Sequence, residues 1–88
     1  MSYRILLHPK AAKSLKKLPL TLKQRVEEAL AELESNPEKG DQLKPSNFWR
    51  LRIGDYRAIY EIDRKGNRII VLYIGHRKNV YENFSRFL

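Results

Sequence analysis

The sequence predicts an α+β domain in the order β-α-α-β-β-β(-α), with an antiparallel sheet and a pair of helices packed on one of its faces. Three observations lead to this fold class. Apolar residues recur at helical spacing between residues 11 and 33, the spacing changes to two after residue 48, and two turns divide the second half into three strands. Since no repeat, linker or change of composition divides the chain, residues 1–88 are expected to form a single domain.

The first half contains one predicted strand and two predicted helices. Residues 3–8 are rich in β-prone side chains and end at Pro9, which suits the first turn of a helix. That helix ends at Pro19, the next ends at Asn36-Pro37, and a polar loop then begins at Lys39. The apolar residues that define the helical faces are Ala11, Ala12, Leu15 and Leu18 in the first helix, and Leu22, Val26, Ala29, Leu30 and Leu33 in the second.

The second half contains three predicted strands. Residues 48–53 and 56–62 alternate in polarity on either side of Gly54-Asp55, a dipeptide typical of a two-residue hairpin turn. Residues 64–67 form the next predicted turn, and residues 68–74 are almost wholly apolar, as in a central strand. A short terminal helix is predicted from apolar residues at helical spacing, which are Val80, Phe84, Phe87 and Leu88.

The charge balance narrows the class of function. Eighteen Lys and Arg residues against ten Asp and Glu residues give a formal charge of +8. Residues 1–25 contain seven basic side chains and no acidic one. Because such a field on a small body attracts polyanions, a nucleic acid or the ribosome is the expected partner, and a basic but otherwise ordinary soluble protein is the alternative. The sequence has no cysteine, signal peptide or membrane-spanning apolar run, so we expect a cytoplasmic protein with no membrane partner.

The first hairpin is predicted to place arginines together on one face of the sheet. With Gly54-Asp55 as the loop, Arg52 lies opposite Arg57, and Arg50 shares their face. Like charges directly opposite each other destabilise a sheet, so a cluster that holds a phosphate is one explanation and a simply solvated face is the other. The opposite face is predicted to join the core through Trp49, Leu51, Ile53, Tyr56, Ala58 and Tyr60.

A continuous ladder through the second turn places Arg57 beside Ile74. His76 and Arg77 then follow at the same end of the sheet, and Tyr81 lies a few residues later. We find no paired carboxylates, activated Ser or Cys, metal-ligand spacing or glycine-rich phosphate loop, so no metal or cofactor is expected. Guanidinium groups suit the stabilisation of a pentacoordinate phosphorus, and RNA supplies its own 2′-hydroxyl nucleophile. The set therefore favours cleavage of RNA.

Three segments of the chain resemble the RelE/ParE toxin superfamily. They are residues 49–60 (WRLRIGDYRAIY), residues 74–81 (IGHRKNVY) and residues 8–15 (HPKAAKSL), and the resemblance extends over nearly the whole chain. It implies a RelE-like fold and a toxin of a type II toxin–antitoxin system. Such a toxin is silenced by a co-expressed antitoxin and, when free, enters the ribosomal A site and cuts messenger RNA.

The resemblance also implies roles for individual residues. Arg57 corresponds to the arginine that stabilises the charged phosphate, and Arg77 to the one at the leaving 5′-oxygen. Tyr81 corresponds to the tyrosine that orients the reacting nucleotide, although its spacing from Arg77 is shorter than in the RelE branch. Arg50 stands where that branch has a lysine proposed to help activate the 2′-hydroxyl, and Phe48 replaces a second lysine. Since arginine is a poor general base, slower cleavage or another base is implied.

A second group of basic residues is expected to contact RNA or the ribosome. His76 is included because histidine is the residue type that titrates near neutral pH. A structural role at the end of the strand is the alternative interpretation. The lysines of the first helix alternatively form only its solvated side. The members of the group are Arg52, His76, Lys78, Lys10, Lys13 and Lys17.

An antitoxin is expected to bind on the basic face of the sheet. An acidic amphipathic helix, or the tail helix of the chain itself, would cover the apolar residues predicted there, which are Ile59, Ile70, Leu72 and Ile74. Two other functions remain open, a ParE-like inhibitor of DNA gyrase and a catalytically weakened relative that binds its antitoxin or RNA. The presence of Arg57, Arg77 and Tyr81 favours the nuclease over the gyrase inhibitor.

Overall fold

The computed structural model describes residues 2–43 and 46–80, and within them the chain forms two α-helices and five strands. Tyr81 and the predicted tail helix beyond Val80 lie outside the described residues. None of the described helices is long and apolar enough to cross a membrane. In chain order the elements are β1 (Arg4–Leu7), α1 (Pro9–Lys16), α2 (Leu20–Ala31), β2 (Asp41–Leu43), β3 (Phe48–Ile53), β4 (Tyr56–Asp63) and β5 (Arg68–His76), with a single 3₁₀ turn (Glu32–Glu34) after α2.

The strands form one sheet in the order β1-β5-β4-β3-β2, which confirms the predicted α+β class. Neighbours are antiparallel from β2 to β5, but β1 runs parallel to β5, so the sheet is mixed and not wholly antiparallel. Parallel neighbours cannot be joined by a tight turn, and the connection from β1 to β5 is long, since it contains both helices and the strands β2, β3 and β4.

The segment predicted as a polar loop after Lys39 contains an additional edge strand. β2 has only three residues and pairs with β3, where Asp41 lies opposite Arg50 and Leu43 lies opposite Phe48. Three residues are too few to show an alternation, so the strand was not predictable from its own sequence.

Both helices pack against one face of the sheet. Ala11 and Leu15 of α1 and Val26 and Leu30 of α2 share a buried cluster with the core-side residues of the strands. Full burial of each valine or leucine side chain stabilises a fold by roughly 1.5–3 kcal/mol. The strand residues in this cluster are Leu51, Ile53, Ala58, Tyr60, Ile69, Val71 and Ile74, and Trp49 packs against it with its ring stacked on that of Tyr60.

A β-bulge interrupts the ladder between β4 and β5. Tyr60 lies opposite Val71, but Ile59 lies opposite Tyr73, so Leu72 is the additional residue. Beyond it the pairing shifts by one position, and Arg57 lies opposite Gly75. The prediction that Arg57 lies beside Ile74 is therefore wrong, because a bulge cannot be read from the apolar pattern of a central strand.

The bulge also decides which apolar residues lie on the face away from the helices. A one-residue shift reverses the faces of a strand, so Ile74 joins the core under the helices and the prediction that it lies on the basic face is wrong. Ile59, Ile70 and Leu72 do lie on that second face, as predicted. They pack there with Leu43, Phe48, Tyr73 and Val80.

Candidate functional site

The predicted pairing of the first hairpin is confirmed. Ile53 lies opposite Tyr56, and Arg52 lies opposite Arg57. Gly54 has a φ of +59°, a conformation that glycine adopts without strain, which is why a two-residue turn forms here. This β3–β4 turn (residues 54–55) aligns the strands so that Arg52 and Arg57 lie side by side.

The guanidinium group of Arg57 folds back onto the β3–β4 turn. Its Nη1 donates hydrogen bonds to the carbonyl oxygens of Gly54 and Tyr56, both at 2.8 Å. Among the described residues no carboxylate forms an ion pair with Arg57, and its two bonds use Nη1 alone. The backbone therefore orients the group without neutralising it, and Nε and Nη2 can donate to an anion.

Arg77 is attached to the same turn. Its backbone N–H donates to the carbonyl oxygen of Asp55 at 2.8 Å. Its Nε lies 3.9 Å from Oδ1 of Asp55, and both side chains are more than half exposed. An exposed pair at this distance contributes little to stability and is easily exchanged for another anion. The structure thus brings Arg57 and Arg77 together at one turn, although they lie twenty residues apart in the chain.

The two remaining arginines of the first hairpin differ from each other. Arg52 is exposed and forms no ion pair with any described residue. Arg50 is largely buried, and its Nη2 lies 3.3 Å from Oδ2 of Asp41, its partner across the β2–β3 ladder. The missed strand β2 therefore supplies a carboxylate that partly neutralises Arg50.

His76 lies on the side of the sheet opposite to Arg57. It pairs with Tyr56, and the two rings meet edge to face with centroids 5.6 Å apart. Its Nδ1 accepts a hydrogen bond from the backbone N–H of Lys78 at 3.2 Å. A neutral ring with an accepting Nδ1 carries its proton on Nε2, so it can donate there but not accept. This geometry fits the structural role that was the alternative for His76.

Three of the four lysines expected to bind RNA lie on α1 or at its end. Lys10 and Lys13 are exposed on α1, and Lys17 is the residue that caps its C-terminus. Lys78 is exposed in the turn that follows β5. Lys10 and Lys13 thus give α1 an exposed basic surface.

One residue near the turn was missed by the sequence analysis. Arg25 of α2 extends its guanidinium group over Gly54, where a methyl group would lie 3.3 Å from Nη2 and 3.7 Å from Nη1. Arg25 occupies an exposed helical position beside the buried Val26. In the sequence, such a position is typical of a residue that only contacts solvent. No local pattern relates it to a turn almost thirty residues later.

The opposite end of the sheet has a different character. A groove of about 490 Å³ there is lined by the carboxylates of Glu38, Glu61 and Asp63 and by two arginines. Arg64 pairs with Glu38 at 2.9 Å, and Arg68 pairs with Asp63 at 2.6 Å. Such a surface does not attract a polyanion, so the β3–β4 turn is the better candidate for an RNA site.

The family model described as "ParE toxin of type II toxin-antitoxin system, parDE" matches residues 5–81. The chain belongs to the RelE/ParE toxin superfamily. It is accordingly a toxin of a type II toxin–antitoxin system, of the RelE family.

Relatives of this RelE-family toxin agree with that assignment. A protein of Methanocaldococcus jannaschii, provisionally named toxin RelE1, is 33% identical over 89 residues, which cover 94% of this chain and 99% of the relative. Toxin RelE3 of the same organism is 29% identical over 79 residues, covering 82% and 88%.

Solved structures show the same RelE fold. A chain of the archaeal RelE–RelB complex from Pyrococcus horikoshii superposes with a TM-score of 0.76 at 33% identity, covering 88% of this chain and 97% of that one. A mutant of Escherichia coli toxin RelE in the free state has a TM-score of 0.80 over all of both chains, and at 23% identity it supports the fold alone.

Proposed function

We propose that this toxin is a ribosome-dependent endoribonuclease that cuts messenger RNA through attack by the RNA's own 2′-hydroxyl. The observation that carries the proposal is the placement of Arg57 and Arg77 at the β3–β4 turn. Both are bonded to the backbone of that turn, and neither has a carboxylate within 3.5 Å among the described residues. The Arg57 guanidinium group is oriented by the turn and the backbone of Arg77 is bonded to it, so two cationic side chains are available to an incoming phosphate.

The proposed reaction is an internal transesterification. The 2′-oxygen bonds to the adjacent phosphorus while the bond from phosphorus to the 5′-oxygen breaks, which yields a 2′,3′-cyclic phosphate and a 5′-hydroxyl end. Negative charge grows on the phosphoryl oxygens and on the leaving oxygen. Arg57 is assigned to the phosphoryl oxygens, Arg77 to the leaving oxygen and Tyr81 to the orientation of the nucleotide. Donors aligned before the reaction stabilise such charge without reorganisation.

The proton of the 2′-hydroxyl needs an acceptor. Arg50 is permanently charged and bonded to Asp41, so its proposed contribution is electrostatic and smaller than that of Arg57. In its neutral form His76 presents Nε2–H and cannot accept there while Nδ1 holds the Lys78 amide. We infer that this proton passes to a group of the ribosome, which accounts for the proposed dependence on it. The leaving 5′-oxygen takes a proton from water to become the 5′-hydroxyl.

An antitoxin is the proposed regulatory partner. Several of the matching structures are RelE–RelB toxin–antitoxin complexes, from Pyrococcus horikoshii and Mycobacterium tuberculosis among others. A formal charge of +8 favours an acidic partner, and we propose an amphipathic helix that covers the arginines of the sheet. A pull-down from the native host that recovers no small acidic protein would contradict this part of the proposal.

The nuclease proposal is tested with purified toxin, programmed ribosomes and mapping of messenger RNA ends. The wild type should give cuts in phase with codons. Arg57→Ala and Arg77→Ala should each slow single-turnover cleavage by about 10²–10³-fold, the loss typical of one transition-state donor. Arg64→Ala is the matched control, because Arg64 is paired with Glu38 at the other end of the sheet.

Three results would contradict the proposal, the first in its residues and the other two in its activity. Equal cleavage by the wild type and both variants would remove Arg57 and Arg77 from the site. Intact messenger RNA together with loss of supercoiling by DNA gyrase would favour a ParE-like inhibitor. Intact messenger RNA with unaffected gyrase and retained antitoxin binding would indicate a weakened relative.

A further inference from the structure

The side chain of Arg25 reaches the candidate site from the helical layer. Val26 and Leu30 turn the buried side of α2 toward the sheet, and Arg25 lies beside them on the exposed side. Its guanidinium group lies over Gly54, close enough that a methyl group there would lie within 3.8 Å of Nη1, Nη2 and Cζ. Arg25 therefore reaches the turn from the helix side of the sheet, whereas Arg57 lies on the other face, so the two arginines lie on either side of the same turn.

The charges around this turn are not balanced by the protein. Arg25 forms no ion pair with a described carboxylate, although Glu28 stands three positions further along α2 at a spacing that allows one. The one carboxylate of the turn, Asp55, is exposed and lies 3.9 Å from Arg77. Guanidinium groups gathered around one turn repel one another unless an anion joins them.

We propose that Arg25 is a further RNA-binding residue, which holds a phosphate next to the scissile one on the same strand. This inference rests on the proposed function, because Arg57 and Arg77 are taken to hold the scissile phosphate. Arg25 does not contact the reacting atoms in this arrangement, so it is a positioning residue. Its loss should raise KM and leave kcat almost unchanged, since it binds substrate and transition state equally.

A merely structural role predicts something different. If Arg25 only packs over Gly54 to support the turn, its loss would lower the melting temperature and would not change the salt dependence of RNA binding. Each phosphate contact to a single strand contributes about 0.7 to the slope of log K against log salt concentration. The slope therefore separates contact with RNA from support of the turn.

The test measures binding of a fully 2′-O-methylated single-stranded RNA, which cannot be cleaved, between about 50 and 200 mM salt. Arg25→Gln should lower the slope by about 0.7, and Arg25→Lys should preserve it. Lys23→Gln is the matched control, because residues two apart on a helix lie on opposite sides of it. The melting temperatures should agree among all four proteins.

The outcomes separate this inference from the nuclease proposal. An Arg25→Gln slope equal to that of the wild type, or an equal loss in Lys23→Gln, overturns the inference even if Arg57 and Arg77 prove essential for cleavage. A slope that depends on Arg25 supports it even if ribosomes show no cut messenger RNA. A wild type that does not bind the RNA at all overturns it.

Discussion

The two turns at the ends of β4 use arginines in opposite ways. At the β4–β5 turn (residues 64–67), Arg64 bonds to Glu38 at 2.9 Å, and Arg68 contacts Asp63 through Nε at 2.9 Å and Nη2 at 2.6 Å. At the β3–β4 turn, Arg57 bonds to carbonyl oxygens and Arg77 stands 3.9 Å from a carboxylate. The first turn is internally neutralised, and the second is oriented but still charged.

This difference separates arginines whose charge is already paired with a carboxylate from arginines that are available to a ligand. The hydrogen bonds from Arg68 lower the pKa of Asp63, and the amide of Gly66 adds to the effect, so these charges already stabilise each other. A phosphate that approached the β4–β5 turn would have to displace a carboxylate. At the β3–β4 turn it would displace only the contact of 3.9 Å between Arg77 and Asp55.

The largest effect on RNA binding is expected when two arginines are replaced at the β3–β4 turn, with the same replacement at the β4–β5 turn for comparison. Arg52→Gln with Arg57→Gln should weaken binding of uncleavable single-stranded RNA at least about tenfold, because charge-assisted hydrogen bonds are lost. The slope of log K against log salt should fall by about 1.4. Arg64→Gln with Arg68→Gln is the control and should leave both quantities nearly unchanged. Equal losses in the two double variants would mean that RNA responds only to net charge.

A second prediction concerns Tyr60, which anchors the loop that carries Glu38. Its hydroxyl donates to the carbonyl oxygen of Pro37 at 2.7 Å and accepts from the amide of Gly40 at 3.1 Å. Tyr60→Phe leaves both backbone groups without this partner and should lower the free energy of unfolding by about 1–3 kcal/mol. RNA binding at the β3–β4 turn should persist, and its loss would show that the two ends are coupled.

The raised pKa of Tyr60 should also make the stability of the fold depend on pH in the alkaline range. Burial raises the pKa of Tyr60, with the nearby Asp41 and Glu38 adding to it and the Gly40 amide opposing it. As the pH rises, the unfolded chain loses the Tyr60 hydroxyl proton before the folded chain does, at about pH 10. The free energy of unfolding should therefore fall as the pH rises above that value. Denaturant unfolding of the wild type and Tyr60→Phe should show a weaker alkaline loss in the variant.

A third prediction concerns Asp63→Asn, a variant that leaves the β4–β5 turn with an unpaired positive charge. Because the pKa of Asp63 is lowered in the folded chain, its contribution to stability is present above about pH 4 and is lost as the pH falls through the folded value. Asp63→Asn should reduce this acid-dependent loss and leave Arg68 charged. The salt slope of RNA binding should then rise by up to about 0.7. An unchanged slope would mean that charge alone does not make a site.

The smallest effect is expected at Asp55. Asp55→Asn retains the carbonyl that binds the Arg77 amide and a side chain suited to the turn. Stability should change by no more than about 0.5 kcal/mol, since the pair with Arg77 is exposed. RNA affinity should rise by roughly twofold because one repulsive charge is removed. Weaker binding would instead identify Asp55 as a residue that orients Arg77.

The parts of the site that were predictable depend on short-range pattern. A two-residue turn leaves one pairing for the strands on either side, so the contact of Arg52 with Arg57 follows from the position of Gly54-Asp55. The pairing of Arg57 with Gly75 was not predictable, because the bulge adds Leu72 to one strand and no turn residue in the sequence indicates it. The neutralisation of Arg50 by Asp41 was missed together with β2, which is too short to show a period.

The amino-acid sequence by itself determined the α+β class, the first hairpin with its facing arginines, the positive charge and the resemblance to RelE-like toxins. Each of these depends on residues close together in the chain or on composition. Only the tertiary structure decided which arginines are neutralised and which are not, and that Arg25 lies over Gly54. Those contacts depend on how α2, the bulge and the edge strand are oriented in space, and long-range packing leaves no periodic trace in the sequence.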